Sequence, residues 1–341
     1  MTIRIWGIAM LAVLALLQPA LGQVTVLDQA QDGAVPADPV APPPICGTQP
    51  IGIARMSWPS AAILAEIQAR LLTTQFGCQT RVAPGDLAAT GSSMGTTGQP
   101  AVAPEMWVAR IAEVWNPAVK AQMVRPAAPT YAETTFEGWF VPDYLAAAHP
   151  ELTGAAKLRD VAATLNNGAK IRFVSCPADW GCSVINRNLI RALGLGDVLD
   201  VVEPANRFEM DTLIAEAVGR HEPVVFYYWQ PNAVLAQFNF VNLDLGAYDE
   251  KALQCLAQQT CATPVASSFA PESVVIALAE WVYTDIPSIA AYFGRTTMPL
   301  KEMNTLLAQL NEPGATIESV ADRFVIERSD IWKGWVGSGA P

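Results

Sequence analysis

The stretch "IGIARMSWPSAAILAEIQARLLTTQFGC" (51–78) decides the fold. Residues 51–56 form an apolar run of strand length. Pro59 then stands at a first helical turn, where its missing N–H costs nothing. Apolar residues recur at helical spacing after it, and Gly77 closes the run. A strand that feeds directly into a helix needs a crossover before the next strand, which predicts parallel pairing and a sheet with covered faces.

The same rhythm continues outward. "CQTRVAP" (78–84) and "QPAVAPEMW" (99–107) read as further strands, with helices over 86–92 and 108–121. Prolines and polar residues then interrupt the pattern at 124–138. It restarts with strand-like runs at 139–142, 170–175, 198–203 and 223–228, separated by helices near 142–148, 155–165, 183–193 and 206–219. After "FNFVNLDL" (238–245) the tail reads as helical, over 272–283, 286–293, 299–311 and 316–325. The layout is two α/β lobes, 46–135 plus 250–341 and 136–249, with hinges near 130–138 and 245–255.

Upstream of this body lie two segments of a different kind. Residues 1–22 carry Arg4, an apolar run from Ile8 to Leu17, and small residues before Gln23, the pattern of a cleaved secretory signal. As a membrane anchor the run falls short of the ~20 residues needed to span. Residues 23–45 are rich in Pro, Ala and Asp and read as a flexible tether. The expected address is the periplasm. A net charge of −11 argues against a nucleic-acid partner.

Six cysteines in a secreted chain imply disulfides, and spacing ranks the pairings. Cys176–Cys182 and Cys255–Cys261 close small loops, which leaves Cys46 with Cys78. A zinc site would want C-x-x-C pairs that are lacking here, and only His149 and His221 could assist, so no metal or other cofactor is expected.

"GSSMG" (91–95) matches G-x-S-x-G and makes Ser93 the nucleophile of an alternative reading, a secreted serine hydrolase. No buried strand precedes it, and a surface loop is the plainer interpretation. Tryptophan at strand ends is the stronger signal. Trp107 closes one strand, Trp229 closes another, and Trp180 lies just beyond a third, in "CPADWGC" (176–182). In open α/β sheets the crevice beyond the carboxyl ends of the strands is where ligands bind. Converging indoles suit a quaternary ammonium, each face contributing ~0.5–2 kcal/mol. Three faces fall short of the ~8 kcal/mol of micromolar binding. The N–H groups of Gly181, Cys182 and Ser183, at the start of a helix, would add a site for a carboxylate. Trp58, Trp115, Trp281, Trp332 and Trp335 are assigned to packing or to contacts between lobes.

Six segments together resemble a known family: "RMSWPSAAILAEIQARLL" (55–72), "VAPEMW" (102–107), "EGWFVPDYL" (137–145), "CPADWGC" (176–182), "PVVFYYWQP" (223–231) and the Trp pair of "IWKGW" (331–335). They resemble, in order, the periplasmic substrate-binding proteins of ABC importers for glycine betaine, proline betaine and choline. The resemblance implies a two-lobed α/β clamshell of type II-like form, each lobe a mainly parallel sheet flanked by helices. It implies no enzymatic activity and a monomer that delivers its ligand to an inner-membrane ABC permease. Glycine betaine or proline betaine is the first expectation for the ligand, followed by choline, carnitine and trimethylamine N-oxide. Motif matching puts the cage on Trp107, Trp180 and Trp229, with Trp139 as a fourth wall and the carboxylate-binding amides on Gly181 and Cys182. Certain betaine binders carry a His four residues after the first cage Trp, where this chain has Ile111. Glu105 and Glu137, beside cage candidates, either face a cation or serve as solvated or salt-bridged surface groups.

Overall fold

The computed structural model describes residues 45–134, 136–166 and 168–337. The expected signal over 1–22, and all of the tether but its last residue, lie outside the described residues. Among the described residues ten strands form two five-stranded sheets. Sheet A contains β1 (Ile51–Met56), β2 (Thr80–Gly85), β3 (Val102–Trp107) and β4 (Val124–Pro129), and β10 (Val274–Ala279) joins it late in the chain. Sheet B contains β5 (Glu137–Pro142), β6 (Ile171–Val174), β7 (Leu199–Val202), β8 (Val224–Trp229) and β9 (Phe240–Leu243).

The strand orders are β2-β1-β3-β10-β4 and β7-β6-β8-β5-β9. Each sheet holds one strand antiparallel to the rest, β10 in the first and β5 in the second, and in both it takes the fourth place. The remaining neighbours pair in parallel. The expected α/β lobes are present, each a mixed sheet in which one strand of five runs against the other four. The reason lies in the connections, because β5 and β10 are the strands by which the chain enters one sheet from the other. No helical crossover within their own sheet obliges them to run parallel.

The helix Pro59–Phe76 begins and ends as its sequence dictates. Pro59 occupies its first turn, and Gly77 adopts the left-handed conformation at φ 70°. The N–H groups of Gly77 and Cys78 then bond to the carbonyls of Thr73 and Leu72. Its apolar face packs with Ile51, Ile53, Ile276 and Leu278 in the core of sheet A. Sheet B has its own core around Phe173, Val225, Phe226 and Leu189. All three disulfides form with the expected pairing, Cys46–Cys78, Cys176–Cys182 and Cys255–Cys261.

Two local expectations are corrected. The segment 272–283 was expected to be helical, but its first half is β10, and only Glu280–Asp285 is helix. Short apolar runs buried on both sides carry no period that separates strand from helix. The break over 124–138 contains β4, whose Pro126 and Pro129 are tolerated because the strand lies at the edge of sheet A. The helix Glu250–Leu256 packs on the helix Gly181–Ala192. Leu256 and Phe269 join the sheet B core.

Candidate functional site

A cavity of about 850 Å³ opens where both sheets present matching ends of their strands. Trp107, the last residue of β3, and Trp229, the last of β8, both line it. The reversed strands start at this same end. Glu137, first in β5, pairs with Trp229, and Val274, first in β10, pairs with Trp107. Residues 130–134 and 136 connect the sheets close by, and Phe136 meets Trp107 edge-on at 5.1 Å.

Glu105 organises the sheet A side. It is fully buried, and its Oε1 accepts the indole N–H of Trp58 at 2.9 Å, the indole N–H of Trp107 at 2.9 Å and the Ser60 hydroxyl at 3.1 Å. Oε2 has no hydrogen-bond partner among the described residues. Burial pushes the carboxyl above its ordinary range, opposed by the donors from Trp58 and Trp107. The surface alternatives considered for Glu105, solvation or a salt bridge, do not hold. Trp58, assigned by sequence to packing, lines the cavity as well as touching the core. The signal that could have found it is its place two residues beyond β1, the same strand-end position that singled out the other indoles.

On the sheet B side Trp229 stacks on Tyr228, with ring centroids 4.7 Å apart, and meets Trp180 at 5.5 Å. Trp180 precedes the helix Gly181–Ala192 as its N-cap. As the first two helical residues, Gly181 and Cys182 have no intrahelical acceptor for their N–H groups. Ser183 differs, since its N–H donates to the Trp180 carbonyl. Trp180, Gly181 and Cys182 are not among the residues lining the cavity. Glu137 lines it, with Oε2 accepting the Tyr227 hydroxyl at 3.2 Å, and burial raises its carboxyl above the ordinary range.

Trp139, expected as a fourth cage wall, is not among the residues lining the cavity. It is fully buried, donates to Asn186 Oδ1 at 2.8 Å and packs on Phe173 with ring centroids 4.6 Å apart. It lies two residues further along β5 than Glu137, on the same face, about 6–7 Å deeper into the sheet. Ile111 is buried in the core on the other face of sheet A. Trp115, Trp332 and Trp335 are buried in cores, as assigned. Trp281 packs at the edge of the sheet A core and donates to the Gly98 carbonyl at 2.8 Å.

The hydrolase alternative fails on geometry. Ser93 lies inside the helix Leu87–Thr97, neither in a loop nor at a strand-to-helix elbow, and its hydroxyl contacts Thr97. His149 bonds Glu151, and the His221 ring faces Tyr144. Among the described residues no group of His, Cys, Asp and Glu could hold a metal, and no helix is long and apolar enough to cross a membrane.

The family described as the substrate binding domain of ABC-type glycine betaine transport systems matches residues 49–327. Among solved structures, apo YehZ from Escherichia coli shares 15% identity and a TM-score of 0.56, covering 84% of this chain and all of that one. A glycine betaine/carnitine/choline ABC transporter structure gives 11% and 0.52, with 83% and 99% covered. Lactococcal OpuAC, in a closed form complexed with glycine betaine, gives 14% and 0.48, with 85% and 100% covered. Comparison with curated protein sequences gives no match.

Proposed function

Since the chain belongs to the family of substrate-binding domains of ABC-type glycine betaine transport systems, we propose that it captures a quaternary ammonium osmolyte in the periplasm and hands it to an inner-membrane ABC permease. Glycine betaine or proline betaine is the favoured ligand, ahead of choline, carnitine and trimethylamine N-oxide. The protein performs no chemistry on it. The observation that carries this reading is that Trp107 of sheet A and Trp229 of sheet B line one cavity. Indole faces attract a cation that has no N–H groups to be left unsatisfied.

Trp107, Trp229 and Trp58 are the cage walls of this reading, with Glu137 supplying charge at the cation end. Trp180, in contact with Trp229, and the amides of Gly181 and Cys182 stand just outside, and closure of the lobes would add them. The moving bodies are sheet A and sheet B with their helices, hinged at the β4–β5 connection and at the segment between Leu256 and β10. A ligand that contacts both lobes favours the closed form by the difference in its affinity for the two states. Lobe 2 in this scheme runs from β5 through Phe269, with lobe 1 formed by the remainder.

Titration of the purified mature protein with glycine betaine, choline and trimethylamine N-oxide, followed by tryptophan fluorescence, tests the proposal. A saturable change with at least one of them is expected. No response to any of the three overturns it.

A further inference from the structure

The cavity holds an arginine that no sequence signal singled out. Arg110 lies on the 3₁₀ turn Val108–Ile111, directly after Trp107. Its guanidinium carbon sits 4.5 Å from the centroid of the Trp107 ring, and its Nε donates to Glu272 Oε1 at 3.0 Å. The two terminal nitrogens make no hydrogen bond among the described residues. Half of the side chain is exposed, and it borders the cavity.

Resting on the ligand class proposed above, we infer that Arg110 receives the ligand's carboxylate and thereby selects a short zwitterion, a quaternary ammonium with an acid group one or two carbons away, over a quaternary ammonium alcohol. Three observations support this. First, a resident cation already covers a face of Trp107. A carboxyl-free cation brought to that ring meets like charge at close range, whereas a zwitterion brings the counter-charge with it. Second, the anchoring of Nε by Glu272 leaves the outer edge of a planar fork free, and that fork matches a carboxylate in two parallel hydrogen bonds. Third, the other candidate receptors are out of position. Ile111 has no donor, Gly181 and Cys182 do not border the cavity before the lobes close, and Arg207, which lines the cavity and pairs with Asp211 at 3.7 Å, lies over the ring of Phe208 rather than over a cavity indole. The cavity then has two poles close together, with Glu137 and the indoles for the ammonium and Arg110 for the acid.

The test compares glycine betaine with choline on the wild-type protein and on R110Q, R110K and E272Q, by calorimetric titration. Wild type is expected to bind glycine betaine more tightly than choline. R110Q should weaken glycine betaine at least about tenfold while choline changes less than about threefold, since a charge-assisted hydrogen bond is lost for one ligand only. R110K should recover part of the loss, with a point charge in place of a fork. E272Q keeps the guanidinium and an acceptor for its Nε but removes the charge that anchors it, and should weaken glycine betaine selectively by a smaller factor. Equal losses for both ligands in R110Q, or in E272Q should R110Q not fold, reduce Arg110 to a support for Trp107 and overturn the inference alone. A wild-type preference for choline also overturns it alone. Wild type that binds neither overturns this inference, and the proposed function falls with it when trimethylamine N-oxide also gives no response.

Discussion

Glu105 and Trp107, two residues apart on β3, project from the same face of the strand, and the carboxylate of the first accepts the indole N–H of the second at 2.9 Å. A buried acid thus fixes the orientation of a cavity ring. The same oxygen fixes Trp58, which comes from a different part of the chain.

Replacing Glu105 by Ala strands three buried or half-buried donors, those of Trp58, Ser60 and Trp107. E105A should lose about 3 kcal/mol of stability, read as a shift in the urea midpoint. E105Q retains an acceptor and should lose less than half as much. The pH dependence has a definite sign. Burial raises the folded-state carboxyl, so the folded protein holds this proton to higher pH than the unfolded chain does. Its contribution to stability is complete below the ordinary carboxylate range and is lost as pH rises through the folded value. The stability of wild type relative to E105Q should therefore fall as pH rises from the ordinary carboxylate range through the raised folded value, and a rise would contradict the assignment.

The two tryptophans Trp139 and Trp229 should separate cleanly by phenotype. W139A removes a fully buried ring and should cost about 3–5 kcal/mol in stability. W229A removes a half-buried cavity wall and should weaken quaternary ammonium binding at least about tenfold, with a smaller stability loss. Thermal unfolding and ligand titration of both variants distinguish the roles, and equal effects of the two on binding would show that the cage is wrongly drawn.

Asn304 ties the sheet A side to the segment that carries Trp229. Its Oδ1 accepts the Asn232 N–H at 2.7 Å, and its Nδ2 donates to Gln230 Oε1 at 3.2 Å. N304A leaves the buried Asn232 N–H without that acceptor, which costs about 1–3 kcal/mol. Both the unfolding midpoint and the affinity for glycine betaine should drop. An affinity that stays constant would mean that Trp229 keeps its place without this tie.

The Cys176–Cys182 bond closes a loop with a sequence separation of 6 ahead of the helix that carries Gly181. Replacing both cysteines with Ser should cost about 2 kcal/mol by the loop-entropy estimate, measured against wild type in denaturant. If closure of the lobes brings Trp180 to the ligand, the double variant should also bind glycine betaine more weakly.

Read alone, the chain reveals whatever neighbours in sequence decide. Pro59 and Gly77 mark the ends of a helix through backbone constraints that need no partner. Cys176 and Cys182 are too close to miss each other, and the spacing of the motifs from 55 to 335 declares the family. Trp107 and Trp229 are legible as cavity-lining residues because both close strands, where an open sheet has its crevice.

Three-dimensional packing decided the rest, because burial on both sides erases period. Residues 274–279 could be strand or helix until β3 and β4 supplied the flanking hydrogen bonds. Trp139 lies in the core and Trp58 at the cavity for a related reason. Depth along a strand sends Trp139 into the core two residues beyond Glu137, while a buried carboxylate 47 positions away holds Trp58 at the cavity. The placement of Arg110 between Trp107 and Glu272 likewise depends on a contact across 162 positions. No local rule encodes such distances, since they arise only when distant segments share one low-dielectric interior.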